Sequence, residues 1–351
     1  MTADASRHPL AAFAGRRVSP VALLGCALVA IVLFWLIVNL AKDPAVFFEV
    51  TAIGMTNGCV YALVALGYTL VYGILELINF AHGDVFMLGG MFSVTFATSL
   101  FGLHSGQGWV TVPIVIGTLV LAMLACGAIN ATVEFVAYRP LRSAPRLAPL
   151  ITAIGMSFII ETVGLAWKGP EYVQMPGVLP RSDMFHIGSF DYEWNKFIAL
   201  AITVPVLLGL LWLIQQTRQG KAMRATAQDM DASAMMGINV NRTISFTFAI
   251  AGALAGAAGL VYSLYFTSVR YDQGFQLGLI AFTAAVLGGI GNLPGAVLGA
   301  TLIGLLQGWN EGLSWRAPGS DWTESIVFSI LILILVFRPA GLLGEQTPEG
   351  G

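Results

Sequence analysis

The chain has 351 residues, of which 57% are hydrophobic and 10% charged, and its mean hydropathy is +0.79. A soluble domain carries about 25% charged residues, so this composition excludes a soluble enzyme with a single anchor and defines an integral membrane protein with one membrane domain. The formal net charge of −2 also excludes nucleic acid as a partner, which would need a basic surface.

Residues 1–20 precede the first apolar run and read as a disordered cytoplasmic tail. Apolar segments then follow at about 21–40, 50–75, 84–101, 110–137, 148–167, 197–214, 243–266, 277–290, 296–310 and 324–337. Each spans or nearly spans a hydrocarbon core of ~30 Å. The first is too long for a signal-peptide core and reads as an uncleaved helix. Leu23-Leu24-Gly25-Cys26 comes before that run, unlike a lipoprotein cleavage box. The eighth and ninth segments are short and joined by Gly291-Asn292-Leu293-Pro294-Gly295; they are either two tilted spans or a re-entrant pair. The expected fold is thus all-α: a polytopic helical bundle of ten spans, or of eight full spans plus the pair. Its membrane domain covers 21–340, and 341–351 forms a second cytoplasmic tail.

Either count is even and leaves both termini on one side. With the N-terminus inside, the inner side holds Arg7, Arg16, Arg17, Arg139, Arg142, Arg146, Arg218, Lys221, Arg224, Arg242 and Arg338. The outer side holds only Lys42, Lys168, Arg181, Lys196, Arg270 and Arg316. That asymmetry follows the positive-inside rule. The same topology puts Trp109, Trp167, Trp194, Trp309, Trp315 and Trp322 at the outer interface, as an aromatic belt.

Two loops are longer than connectors need to be. The outer one, about 168–196, is rich in proline, aromatic and acidic residues. The inner one, about 215–242, is basic, and its alanines and methionines (Ala222, Met223, Ala225, Ala227, Ala234, Met235, Met236) suit short helices lying across the membrane surface. The echo of Thr51-Ala52-Ile53-Gly54-Met55 in Thr152-Ala153-Ile154-Gly155-Met156 is explained by an inverted repeat and equally well by chance in a low-diversity apolar sequence. Cys26, Cys59 and Cys126 all lie in apolar segments without metal-ligand spacing and read as buried thiols.

Catalytic and metal constellations are missing: there is no H-E-x-x-H, G-x-S-x-G or intramembrane aspartate pair, and Gly220-Lys221 lacks the remainder of a P-loop. The chain therefore carries no catalytic residue, metal site or cofactor, and any power for transport comes from a partner or an ion gradient. The polar cluster Asn79-Phe80-Ala81-His82-Gly83-Asp84 interrupts the apolar sequence at the inner end of the second segment. Asp84 either caps the third helix or belongs, with Asn57, Asn79, His82 and Glu161, to the gate of a pathway. Glu161 is the carboxylate deepest in an apolar segment; Glu134 lies nearer an inner end. No basic residue in the spans is an obvious partner for either. Gly252 and Gly256, and Gly291, Gly295 and Gly299, recur every four residues and place glycine on one helix face for close packing. Asp231-Ala232-Ser233-x-x-x-Gly237 loosely matches the Glu-Ala-Ala-x-x-x-Gly pattern of bacterial ABC permeases.

Four stretches in order, VALGYTLVYGILELINFAHGDVFMLGG, GKAMRATAQDMDASAMMGINVNR, AFTAAVLGGIGNLPGAVLGA and FRPAGLLG, together resemble the LivH-type inner-membrane permease of bacterial branched-chain amino acid ABC transporters. The resemblance covers about 50–340. It implies an importer of the bacterial inner membrane with four kinds of partner: a LivM-type permease, two cytoplasmic ATPases, a periplasmic binding protein and the surrounding lipid. It places the ATPase coupling contact on Gly220, Lys221, Arg224, Asp229, Asp231 and Gly237. A urea or amide permease of the same family is the alternative, and an ion-coupled transporter using Glu161 is a more distant one.

Overall fold

The computed structural model describes residues 20–104, 111–142, 144–145, 147–177, 183–187, 190–338 and 340–344. The tail expected over 1–20 and most of the tail expected over 341–351 lie outside them, as does the side chain of Cys26. The helices, in chain order, are α1 (Pro20–Lys42), α2 (Pro44–Leu75), α3 (Ala81–Thr95), α4 (Thr111–Val133), α5 (Leu147–Lys168), α6 (Trp194–Gln216), α7 (Arg218–Gln228), α8 (Met230–Met235), α9 (Val240–Phe266), α10 (Gln273–Gly288), α11 (Leu293–Gly312) and α12 (Thr323–Phe337). Single π-helical turns extend α3 over Phe96–Leu100 and α4 over Glu134–Tyr138. Among the described residues, seven helical stretches are long and apolar enough to cross a membrane: Pro44–Leu75, Ala81–Leu100, Thr111–Leu141, Leu147–Lys168, Phe197–Gln216, Val240–Phe266 and Ser320–Phe337. The expectation of a polytopic helical membrane protein is met.

One departure is a little β-structure. β1 (Val173–Gln174) pairs antiparallel with β4 (Ser268–Val269), and β2 (Asp183–Ile187) pairs with β3 (Phe190–Glu193). Val173 and Gln174, in the stretch after α5, therefore pair with the residues just past the end of α9.

Local chemistry sets the helix starts. Asp43 accepts from the Val46 N–H at 3.3 Å and Pro44 begins α2, where its missing N–H costs nothing. Thr217, Asp229, Asn239 and Asn292 cap α7, α8, α9 and α11 through side-chain oxygens 2.8–3.0 Å from the backbone N–H three residues on. Within the apolar helices, hydroxyls bond back to the preceding turn: Ser93 to the Gly89 carbonyl, Thr247 to Thr243 and Thr283 to Leu279. A hydroxyl satisfied this way can lie in a lipid-facing or buried helix without an unpaired polar atom.

The core is formed by α2, α3, α9, α10 and α11. Every residue of α3 from Ala81 to Met91 is buried. By contrast, α5, α6 and α12 expose much of their apolar surface, including Ile151, Phe158, Leu208, Ile332 and Phe337. Large apolar side chains facing outward in this way suit lipid or a neighbouring subunit and not water.

Glycines bring the core helices into backbone contact. On α2, a Cβ at Gly54 would lie 2.9 Å from the Gly304 carbonyl oxygen of α11, and one at Gly58 would lie 2.9 Å from the Thr301 Cα. Gly252 and Gly256 of α9 meet Cys126 and Ala122 of α4, as their spacing predicts. Gly295 and Gly299 meet Gly288 and Ala284 of α10. Gly291 departs from the expected face: it lies in the α10–α11 turn with φ +93°, and a Cβ there would meet nothing within 4 Å. The left-handed backbone, which glycine alone adopts without strain, explains that residue.

Residues 340–344 return from the end of α12 to the α10–α11 turn. Leu342 and Leu343 donate backbone N–H groups to the Leu287 and Gly288 carbonyls at 2.9 and 3.0 Å, and Asn292 Nδ2 donates to the Leu343 carbonyl at 2.8 Å. At the other end of the bundle, Asn39 of α1 holds Trp315: its Oδ1 accepts from the Trp315 N–H at 3.0 Å, while Trp35 Nε1 donates to the Trp315 carbonyl at 2.9 Å.

Gly54→Val tests the backbone contact. Overpacking such a site costs about 1–3 kcal/mol, so the variant melts at lower temperature in detergent. Gly155→Ala, at the matching position of the Thr-Ala-Ile-Gly-Met echo and with nothing within 4 Å, leaves the melting temperature unchanged or raised.

Candidate functional site

The Asn79–Asp84 cluster straddles the start of α3, and its three polar side chains face different helices. Asn79, in the connection from α2, accepts from the Tyr138 hydroxyl at 2.8 Å and donates to Asn130 Oδ1 at 3.3 Å; Asn130 in turn donates to the Phe248 carbonyl of α9 at 2.7 Å. His82 is fully buried in the space left by Gly67 of α2, edge-on to Tyr68 at 4.9 Å between ring centroids. Asp84 is fully buried and accepts from the Ser157 hydroxyl of α5. Its other oxygen, Oδ1, has no hydrogen-bond partner and points at Gly274, where a Cβ would come within 2.6 Å of it.

Asp84 therefore does not cap α3. It is the fourth residue of that helix, the N-cap position is Phe80, and no side chain bonds the free N–H groups there. The carboxylate is aimed sideways, into contact with α5 and the first turn of α10. Glu161 lies one turn beyond Ser157 on α5 and is half-buried, whereas Asp84 is fully buried. Asn57 is buried on α2 with its Oδ1 unbonded, away from this cluster in sequence and without a bond to it.

Glu134 does have a basic partner, contrary to the sequence expectation. The π-helical turn carries its carboxylate to Arg142, which lies just past the end of α4, and to the Ser245 hydroxyl of α9. Arg142 also donates to Asn241 Oδ1 at 2.6 Å. Burial lowers the Arg142 pKa from its ordinary value and Glu134 opposes that shift, so the guanidinium stays cationic at physiological pH. The partner lay in the short connection after α4, outside any span, and only the chain's reversal there brings it to Glu134. The same π turn delivers Tyr138 to Asn79. One irregular turn thus ties the root of α9 to the start of α3, and π turns recur where function needs a side chain re-aimed.

The inner loop is helical, as its alanines and methionines suggest. Gly220, Met223 and Thr226 form the buried face of α7. A Cβ at Gly220 would collide with the Ile214 carbonyl, and Arg224 donates to that same carbonyl. Lys221 is exposed. Asp229 is the cap of α8, Asp231 is exposed in its first turn, and Gly237 ends it at φ +85°. Met235 and Met236 are 82% and 85% exposed. The six residues expected to couple are close together in the chain; Gly220 is buried, while Lys221, Arg224, Asp229, Asp231 and Gly237 are exposed, with Arg224 bonded to the Ile214 carbonyl and Asp229 to the Ala232 N–H. The two methionines are the large apolar side chains that α8 and its C-cap offer outward, beside Asp231 and Ala234. Ser157, Asn130 and Tyr138, which complete the buried network, carry no sequence signal beyond being polar in apolar helices.

Buried polar side chains at a helix start, set within a lipid-suited bundle, define a polytopic membrane protein. The chain belongs to the family described as branched-chain amino acid transport system / permease component, which matches residues 50–336. It is 37% identical over 302 residues to the high-affinity branched-chain amino acid transport system permease protein BraD of Pseudomonas aeruginosa, covering 84% of this chain and 95% of that one. The permease protein LivH of Escherichia coli matches with the same identity and coverage. Among solved structures, PsaBC from Streptococcus pneumoniae in complex with Fab aligns at a TM-score of 0.43 and 15% identity over 88% of this chain and 97% of that chain.

Ser157→Ala tests the Asp84 contact. It leaves both carboxylate oxygens without a donor, which costs about 1.5–3 kcal/mol for a bond to a charged group. The expected result is a matching loss of stability in detergent unfolding, absent in Thr162→Ala, whose hydroxyl bonds only its own helix.

Proposed function

We propose that this chain is a LivH-type permease subunit that forms part of the translocation pathway of an ATP-driven importer for branched-chain or related amino acids. The observation that carries the reading is 37% identity across nearly the full length of two permeases named for that transport. ATP hydrolysis belongs to separate cytoplasmic ATPases, two per complex. A periplasmic binding protein delivers the substrate, and a LivM-type permease completes the pathway.

In this reading the chain crosses the bacterial inner membrane ten times, with both termini in the cytoplasm. Support comes from α10 and α11, which are antiparallel neighbours. Backbone contacts follow α11 along α2 from Gly308 beside Gly54 toward Gly291 beside Gly73, a length that a re-entrant hairpin does not need. Residues 342–343 bond the end of α10, so α12 ends at the same face as the α10–α11 turn. Arg218, Lys221, Arg224 and Arg242 around α7 and α8 mark that face as cytoplasmic.

α7 and α8 are then the ATPase contact, with Met235 and Met236 as its apolar anchors and Arg224 as a brace that keeps α7 on the end of α6. Asn79, His82 and Asp84 act at the inner gate, because α3 is the most enclosed helix and touches α2, α4, α5, α9 and α10 through them and their neighbours.

The double change Met235→Asp, Met236→Asp, made in the assembled complex, tests the reading. Co-purification of the ATPase chains falls at least about tenfold, a loss of roughly 1.4 kcal/mol, and ATP-driven leucine uptake into proteoliposomes falls with it. Full assembly and uptake in the variant would remove the methionines from the interface. Uptake by this chain without ATP or partners would overturn the importer reading itself.

A further inference from the structure

At the end of the bundle opposite α7 and α8, five elements enclose an open cavity of about 190 Å³. At ~30 Å³ per water in the liquid, it has room for one small molecule. Its lining is mixed: Leu277 and Ile280 of α10, with the rings of Tyr61 of α2 and Tyr262 of α9, form an apolar part, and polar side chains make up the larger share. Its polar groups come from α2, α10, α11, α12 and the turn before α12, and several of them are bonded to one another. The Tyr61 hydroxyl donates to Gln307 Oε1 at 2.5 Å, Gln307 Nε2 donates to Glu311 at 3.0 Å, and Thr323 donates to the same Glu311 oxygen at 2.8 Å. Across the cavity Gln276 donates to Glu324. Two carboxylates line the space and no lysine or arginine does. The nearby Arg270 is turned away onto Asp272.

The geometry points to a binding site for the ammonium group of a free amino acid, with its apolar side chain against Leu277, Ile280 and the tyrosine rings. Two carboxylates in a partly enclosed site attract a cation and repel an isolated carboxylate, and the amides of Gln276 and Gln307 can serve the polar end of a zwitterion. A bonded frame of Tyr61, Gln307, Glu311 and Thr323 holds acceptor oxygens in place before the ligand arrives, which lowers the cost of binding. This inference rests on the importer reading, for which the cavity is the outer entrance to the pathway. It adds the recognised group and the residues that recognise it.

The test uses the whole complex in nanodiscs with Ser320→Cys, a near-isosteric reporter among the residues that line the cavity; Gln273→Cys, at another lining position, is a second reporter. Reaction with a trimethylammonium methanethiosulfonate is compared with reaction with its sulfonate counterpart, against the complex without the new thiol. With every rate normalised to that reagent's rate with free 2-mercaptoethanol, the cationic reagent is expected to react about tenfold faster or more, and Glu311→Gln with Glu324→Gln should bring the two normalised rates together. Leucine and 3-methylbutylamine should slow the labelling, and 4-methylpentanoate should not. Equal normalised rates for the two reagents, equal protection by 4-methylpentanoate, or protection by the binding protein but not by free leucine would each overturn the site. ATP-driven leucine uptake by the same preparation is measured separately, so that failure of the importer reading is distinguishable from failure of the site.

Discussion

Close backbone contact between helices is the constraint on which the rest of this protein depends. In lipid, apolar side chains gain little by leaving one another's company for hydrocarbon, so helices associate through van der Waals contact and hydrogen bonds. Gly54 and Gly58 against α11, and Gly252 and Gly256 against α4, remove the side chains that would hold these helices apart. The tight pairing then encloses α3 on every side. Enclosure is what permits Asp84, His82 and Asn79 to be buried at all, because each is held against another helix with water and lipid excluded.

Much of the fold was legible in the sequence because apolar length is a direct consequence of membrane thickness. The positions of α2, α4, α5, α6, α9 and α12 follow from their hydropathy to within a few residues. Glycine spacing was informative where glycines sat inside a helix, as at Gly252 and Gly256, and misleading at Gly291, where a turn needs a left-handed backbone and the fourfold spacing is coincidental. The two Thr-Ala-Ile-Gly-Met words show the same limit. Gly54 is pressed against Gly304, whereas Gly155 has nothing near it; identical local sequence says nothing about which neighbour a helix meets.

The polar sites were legible as residues and not as partnerships. Asn79, His82 and Asp84 stand out in an apolar context, but their directions depend on the angle at which α3 enters the bundle. A carboxylate at a helix start suggests a cap, and only the packing of α5 against α3 shows why Asp84 bonds Ser157 instead. Glu134 looked unpaired because Arg142 lies past the span, across an irregular turn that hydropathy does not reveal. In the inner loop, residue type pointed to short helices, while burial separates those that anchor α7 from the exposed pair, Met235 and Met236.

The word FRPAGLLG near the end of the chain has its physical reason in the strap that closes over the α10–α11 turn. Gly341, at φ +73°, packs on Gly289, and Leu342 and Leu343 supply the N–H groups that finish α10. Residues so late in the chain leave the ribosome after every preceding helix. The α10–α11 hairpin must therefore wait, with the last carbonyls of α10 unsealed, until synthesis has passed Gly344. A chain that stops before that point leaves the Leu287 and Gly288 carbonyls without the N–H groups of Leu342 and Leu343.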